Sequence, residues 1–181
     1  MSAASVYVVD VREILDDLGA TIPLVGDVQL ADIELGTELF RSSEPAHLDA
    51  ALSSAGTGIV LSGTVTATLD ATCSRCLREF PLTITADLDG FYVHPGMEDE
   101  LPEEQDYEYI DDGSVDLTAA ILSAIALELP FAPVHDADCP GICPRCGADL
   151  AEGPCGCGPD LSRSPFAALA DLLPEADGAE E

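Results

Sequence analysis

The chain is 181 residues long and carries 35 acidic residues, six arginines and no lysine, for a formal charge of −29. That length fits one domain with appendages, and the acidic balance excludes a general nucleic-acid binder, because most of the surface repels phosphate. No stretch approaches the roughly 18 apolar residues of a membrane helix, and the start MSAASVYVVD lacks the basic and apolar regions of a signal peptide, so the expected location is the cytoplasm, where thiols stay reduced.

Residues 5–11 alternate and predict a strand, followed by a short helical turn over 12–18. Residues 19–45 read as mixed, since Gly19, Pro23, Gly26, Gly36 and Pro45 interrupt any long element. Residues 47–53 predict another strand. The clearest signal follows: Ile59, Leu61, Gly63, Val65, Ala67, Leu69 and Ala71 alternate with Ser62, Thr64, Thr66, Thr68 and Asp70, and Phe80, Leu82, Ile84, Ala86 and Leu88 repeat the pattern. This predicts a long antiparallel hairpin, apolar on one face, with Cys73-Ser-Arg-Cys76 at its tip.

Residues 97–112 hold nine acids and no base, the composition of a solvated loop, with a short strand near Tyr107, Tyr109 and Ile110. Residues 115–129 predict a helix stopped by Pro130, with Leu117, Ile121, Ala124 and Leu127 on one face and deep burial all round. Residues 165–173 predict a last short helix.

Five more cysteines, Cys139, Cys143, Cys146, Cys155 and Cys157, crowd into a stretch rich in Gly and Pro. Zinc takes four ligands in a tetrahedron and favours thiolates in structural sites. In Cys143-Pro-Arg-Cys146-Gly147, Pro144 fixes φ early and Gly147 permits the positive φ that closes the turn. Four of the five thiols complete one site, an expectation of about one zinc per chain. Cys73 and Cys76 stay open among half of a shared site with Cys143 and Cys146, a separate pair, and redox chemistry. The redox reading is disfavoured because thioredoxin-type pairs open a helix, and strand pattern flanks this pair on both sides. His135 is a candidate ligand that reads rather as a polar loop residue; His47 and His94 read as surface residues. Arg75, Arg78, Arg145 and Arg163 cluster at the cysteine segments and are the only basic residues besides Arg12 and Arg41. No nucleophile-elbow, P-loop or HExxH signature is present.

The order of features has a counterpart. The TCSRCL tip, the LELP end of the helix, and the CPGICPRCGADL segment followed by SPFAALADLL resemble the YceD family of large ribosomal RNA subunit accumulation proteins. The resemblance spans about residues 5–173. It implies a non-enzymatic role in the accumulation of large-subunit ribosomal RNA and so in ribosome assembly. Some members keep the first Cys pair and lack the second cluster, which implies that the two need not share one site. This chain departs from the commoner pattern at His135, where many relatives carry Cys, and at Ser164-Pro165-Phe166, where Asp-Pro-Arg is frequent.

The expected architecture is α+β: a curved antiparallel sheet packed on one buried helix, with a small C-terminal cysteine-rich zinc module. The core domain is 1–134 with its acidic loop at 97–112, the module 135–160, the last helix 161–173, and an acidic disordered tail 174–181. The expected cofactor is structural Zn2+. The expected partners are a basic ribosomal protein or a large-subunit assembly intermediate, with ribosomal RNA contacted directly or indirectly. Arg75, Arg78 and Arg145 are the candidate RNA contacts. No catalytic residue and no membrane is expected. The alternatives are a thiol redox protein using Cys73 and Cys76, or an acidic interaction protein with a basic partner outside the ribosome pathway.

Overall fold

A computed structural model describes residues 7–97 and 106–158. The expected helix at 165–173, the acidic tail, Arg163 and residues 98–105 of the acidic block lie outside the described residues. The chain divides after Cys139 into two compact units.

The first unit is built on the predicted hairpin. Strand β6 (Ile59–Thr72) pairs with β7 (Glu79–Val93) in unbroken antiparallel register from Ile59↔Tyr92 to Thr72↔Glu79. The alternation puts Ile59, Leu61, Val65, Ala67, Leu69 and Ala71 on the buried face, each at most 1 % exposed. The other face carries cross-strand hydroxyl pairs, Thr66–Thr85 and Thr68–Thr83, both at 3.0 Å. Such pairs add a few tenths of a kcal/mol each, about 0.2–1; burying each Leu adds about 1.5–3 kcal/mol, so the apolar face decides which way the hairpin lies.

The free edge of β6 serves two partners in succession. Strand β5 (Ala46–Ser54) pairs along residues 59–66 and β4 (Glu38–Ser42) at residues 69–70. Outside them lie β2 (Thr21–Val28) on β5 and β3 (Ile33–Leu35) on β4. The expectation that residues 19–45 hold no long element is thus corrected: β2 runs eight residues through Pro23 and Gly26. It does so at the sheet's edge, a setting where a proline need not remove a ladder bond.

Strand β1 (Val8–Asp10) pairs with β9 (Ser114–Asp116), and β8 (Glu108–Tyr109) joins β7 in parallel. The predicted turn over 12–18 forms as successive turns, with Ile14 N–H on Val11 O and Asp17 N–H on Ile14 O. Helix α1 (Thr118–Glu128) is shorter than expected, because residues 114–116 are strand. Its first amide, Thr118 N–H, donates to Asp116 Oδ1 at 2.9 Å. It stops at Leu129, whose extended ψ of 131° is what a following proline imposes.

The buried stripe of α1 is Leu117, Ile121, Ile125 and Leu129, at i+4 spacing. This corrects the expected face and the expected all-round burial: Leu127 is 84 % exposed, on a side shared with Ala119 and Ser123. The helix is apolar on every side, so periodicity carried little signal, and packing on β7 selected the bulky Ile stripe. The result is an α+β fold: a mostly antiparallel sheet with one helix among the described residues.

Candidate metal centres

Both Cys-x-x-Cys segments fold into the same knuckle. At the β6–β7 tip, Cys73 N–H donates to Arg78 O at 2.9 Å and Leu77 N–H to Cys73 O at 2.8 Å. In the second unit, Cys143 N–H donates to Ala148 O and Gly147 N–H to Cys143 O, both at 2.8 Å. The residue after the second cysteine needs positive φ in each: Gly147 at 72° and Leu77 at 62°. The glycine makes the second knuckle legible in the sequence; the leucine hides the first. A β-carbon in this region is strained by about 1–2 kcal/mol, and Leu77 is 63 % exposed, so it recovers little by packing. Leu77→Gly is therefore expected to raise stability by about 0.5–1 kcal/mol, after offsetting glycine's extra unfolded-state entropy. Urea unfolding checks this; a loss of stability would mean that the Leu77 side chain is held by something.

The tip is tied to the chain that leaves α1. Ser74 donates to Pro133 O through both N–H (2.8 Å) and Oγ (2.6 Å). Arg75 Nη1 donates to Ala137 O and Cys139 O at 2.8 and 2.9 Å. These bonds deliver His135 and Cys139 to the first knuckle. Cys73 Sγ lies 3.9 Å from Cys139 Sγ, and Cys76 Sγ lies 3.5 Å from His135 Nδ1. The His135 ring also meets Phe80 edge-on, centroids 6.2 Å apart. The ligand atoms of Cys73, Cys76, His135 and Cys139 all lie within 4.8 Å of one another, as do those of Cys143, Cys146, Cys155 and Cys157. Each group has the composition and compactness to hold a metal ion.

Short-range bonds lay out the second group: an isolated bridge Ile142↔Asp149, Leu150 N–H on Gly141 O at 3.0 Å, and an Asp149 side chain accepting Ala151 N–H at 2.9 Å. Cys143 is buried, while Cys146 and Cys157 are exposed. In the first group Cys73 and Cys139 are both buried.

Of the five crowded cysteines, the structure brings four together and sends Cys139 to Cys73, Cys76 and His135 instead. His135, read from sequence as a loop residue, faces a thiol. The sequence held one clue to this, the four-residue spacing of His135 and Cys139, which without the hairpin tip had nothing to pair with. All seven cysteines are free thiols.

The thiols are tuned apart. Burial pushes Cys73 up, but hydrogen bonds from the His135 side chain and from the backbone of His135, Cys76 and Arg75 outweigh it and lower it to about 5. The backbone of Cys146 and Arg145, then the Cys155 side chain, lower Cys143 to about 6 against its burial. Cys157 is pushed up to about 12 by the Cys146 and Cys155 side chains and by burial. In each group one sulfur is thus held as thiolate, the form that ligates, and in the second group Cys157 resists ionisation until a cation enters.

Of the candidate RNA contacts, Arg75 has its guanidinium committed to two backbone carbonyls. Arg12 pairs with Asp10 at 3.0 Å and Arg41 with Glu79 at 2.9 Å. Beside β7 and α1, a cleft of about 850 Å³ presents Asp89, Asp106 and Glu108 together with Phe91 and Tyr107. Among the described residues no helix is long and apolar enough to cross a membrane.

The fold and sites define a small sheet protein with two clusters of thiols, one with a histidine, that could hold metal ions. Residues 61–173 match the YceD family, described as large ribosomal RNA subunit accumulation protein YceD. An uncharacterized protein of Mycobacterium tuberculosis is 35 % identical over 154 residues, covering 83 % of this chain and 74 % of its own length. One of Mycobacterium leprae is 34 % identical over 138 residues, covering 75 % of this chain and 64 % of its own. The chain belongs to the YceD family. No solved structure matches it at a significant level.

Proposed function

We propose that this chain supports the accumulation of large-subunit ribosomal RNA in the cytoplasm as a binding factor rather than an enzyme. Family membership is the observation that carries the reading. The charge of −29 and the commitment of Arg75 to the carbonyls of Ala137 and Cys139 favour a basic protein of the assembling subunit as the direct partner over RNA. The carboxylates and rings of the cleft suit a cationic side chain, by charge and by cation–π contact. We further propose that the Cys143, Cys146, Cys155 and Cys157 group holds Zn2+ structurally, because four thiolates suit a soft tetrahedral ion.

The test is depletion followed by measurement of large-subunit RNA, with a pull-down from lysate with and without nuclease. Unchanged RNA levels would remove the ribosomal reading. Recovery of RNA alone, lost on nuclease treatment, would overturn the protein partner. Binding is expected to weaken as salt rises, since screening shortens the field to about 8 Å at physiological ionic strength. Reversing Asp89, Asp106 and Glu108 together should slow association more than it speeds dissociation, which surface plasmon resonance resolves.

The thiol redox alternative draws on the lowered Cys73. That thiol is fully buried, and exchange requires an accessible attacking sulfur. Its lowered pKa therefore suits a ligand better than a nucleophile.

A further inference from the structure

We propose that Cys73, Cys76, His135 and Cys139 form a Cys3His zinc site of their own, independent of the four-cysteine group, which staples the hairpin tip to the segment leaving α1. This inference does not depend on the ribosomal reading. Zn–S bonds of about 2.3 Å and Zn–N bonds of about 2.0–2.1 Å, set at the tetrahedral angle, require S···S edges of about 3.8 Å and S···N edges of about 3.5 Å. The chain shows 3.9 Å for Cys73–Cys139 and 3.5 Å for Cys76–His135. Those two contacts share no atom, so they are opposite edges of a tetrahedron, and between them they use all four donors. The remaining distances close the figure within 4.8 Å.

Other accounts of the cluster fit less well. A disulfide needs sulfurs about 2.05 Å apart, and these are free thiols. Packing alone explains buried Cys73 and Cys139 but not why a histidine turns a ring nitrogen toward Cys76. Apolar anchoring of the hairpin tip on this segment is slight: Pro133 is buried, but Phe131 is 82 % exposed and Val134 36 % exposed. The two strips of chain are otherwise joined by a few hydrogen bonds, each with a net contribution of only about 0.5–1.5 kcal/mol, by the Phe80–His135 ring contact and by the four ligands. Three thiolates and a neutral imidazole around Zn2+ leave one net negative charge. Arg75 lies beside that charge and acts as a positioning residue, holding the carbonyls of Ala137 and Cys139 and so the approach of the Cys139 ligand.

The consequence is two metal ions per chain where the sequence suggested one. Elemental analysis of untagged full-length protein, purified reduced and without chelator, is expected to give about two zinc ions. Cys139→Ser and His135→Ala should each lose one and keep the other. Cys143→Ser should also lose one, and the Cys139→Ser, Cys143→Ser double variant both. His135→Cys restores a fourth soft donor and should keep two, which separates lost ligation from lost folding. In cobalt-substituted protein, His135→Cys should shift the charge-transfer band toward that of a four-thiolate centre. One ion per chain that survives Cys143→Ser and is lost in Cys139→Ser also supports this site, while sinking the four-cysteine proposal. Two ions retained in both Cys139→Ser and His135→Ala, or one ion lost only in Cys143→Ser, would overturn it. Iron in place of zinc would overturn the metal.

Discussion

Stripping the metal with a chelator is expected to unlock the two knuckles and leave the sheet standing. Structural zinc contributes about 10–16 kcal/mol of apparent binding free energy in finger-sized peptides, and that binding energy is folding energy. The residues of the two groups have almost no core of their own. From 130 to 158 the buried side chains besides cysteines are confined to Pro133, with Gly141 buried beside them. The sheet, by contrast, rests on Phe40, Leu48, Leu52, Leu61, Leu69, Ile121 and Ile125, each at most 2 % exposed. Hydrogen exchange reads the difference directly. The amides of Ser74, Leu77, Cys143 and Gly147, bonded in the knuckles, should lose protection by several orders of magnitude on chelation. Amides inside β6 and β5 should keep theirs. Equal protection with and without chelator would show that no metal orders these segments. Collapse of β6 protection would show that the first metal supports the whole sheet.

The second large effect is expected at Gly63, in the middle of β6. Its φ is 154°, and a β-carbon there would lie 2.3 Å from Ala50 Cα and 2.4 Å from Asp49 O. Both obstructing atoms are backbone of the paired strand β5, at register Ala50↔Gly63, so no rotamer change relieves the clash. Backbone strain of about 1–3 kcal/mol and overpacking of about 1–3 kcal/mol act together, and Gly63→Ala should cost about 4 kcal/mol. Against a total stability of about 5–15 kcal/mol, the melting temperature should fall by about 10 °C. Thermal unfolding followed by circular dichroism measures this. A fall of less than about 3 °C would mean that β5 and β6 separate easily at this point. The sequence shows Gly63 only as a gap in an apolar row; its necessity lies in how closely β5 approaches.

The sheet was legible where alternation is strict. Residues 59–71 and 80–88 announce their partner face because Ser, Thr and Asp fill most of the alternate places. The strand through Pro23 was not legible, because its tolerance for proline depends on being an edge, and edge position is a property of the assembled sheet. The face of α1 was misjudged for a related reason. With Leu, Ile and Ala on all sides, the helix has no polar side to exclude from the core, and only contact with β7 chooses Ile121 and Ile125 over Leu127. The second knuckle was readable from Cys143-Pro-Arg-Cys146-Gly147, whose donors lie within fifteen residues of one another. The grouping of Cys73 with Cys139 spans 66 residues. It depends on the hairpin's length and on where Pro130 ends the helix, neither of which the cysteine spacing encodes.

The division of the chain after Cys139 bears on how such a protein can change over generations. Every donor of the first group precedes that point and every donor of the second follows it, so no ligand is held in common. A frameshift or stop codon just downstream removes four cysteines and takes nothing from the first group. Selection can therefore gain, discard or re-tune the terminal group as a detachable part, while replacing any one of Cys73, Cys76, His135 and Cys139 by a side chain that cannot ligate would undo the first group.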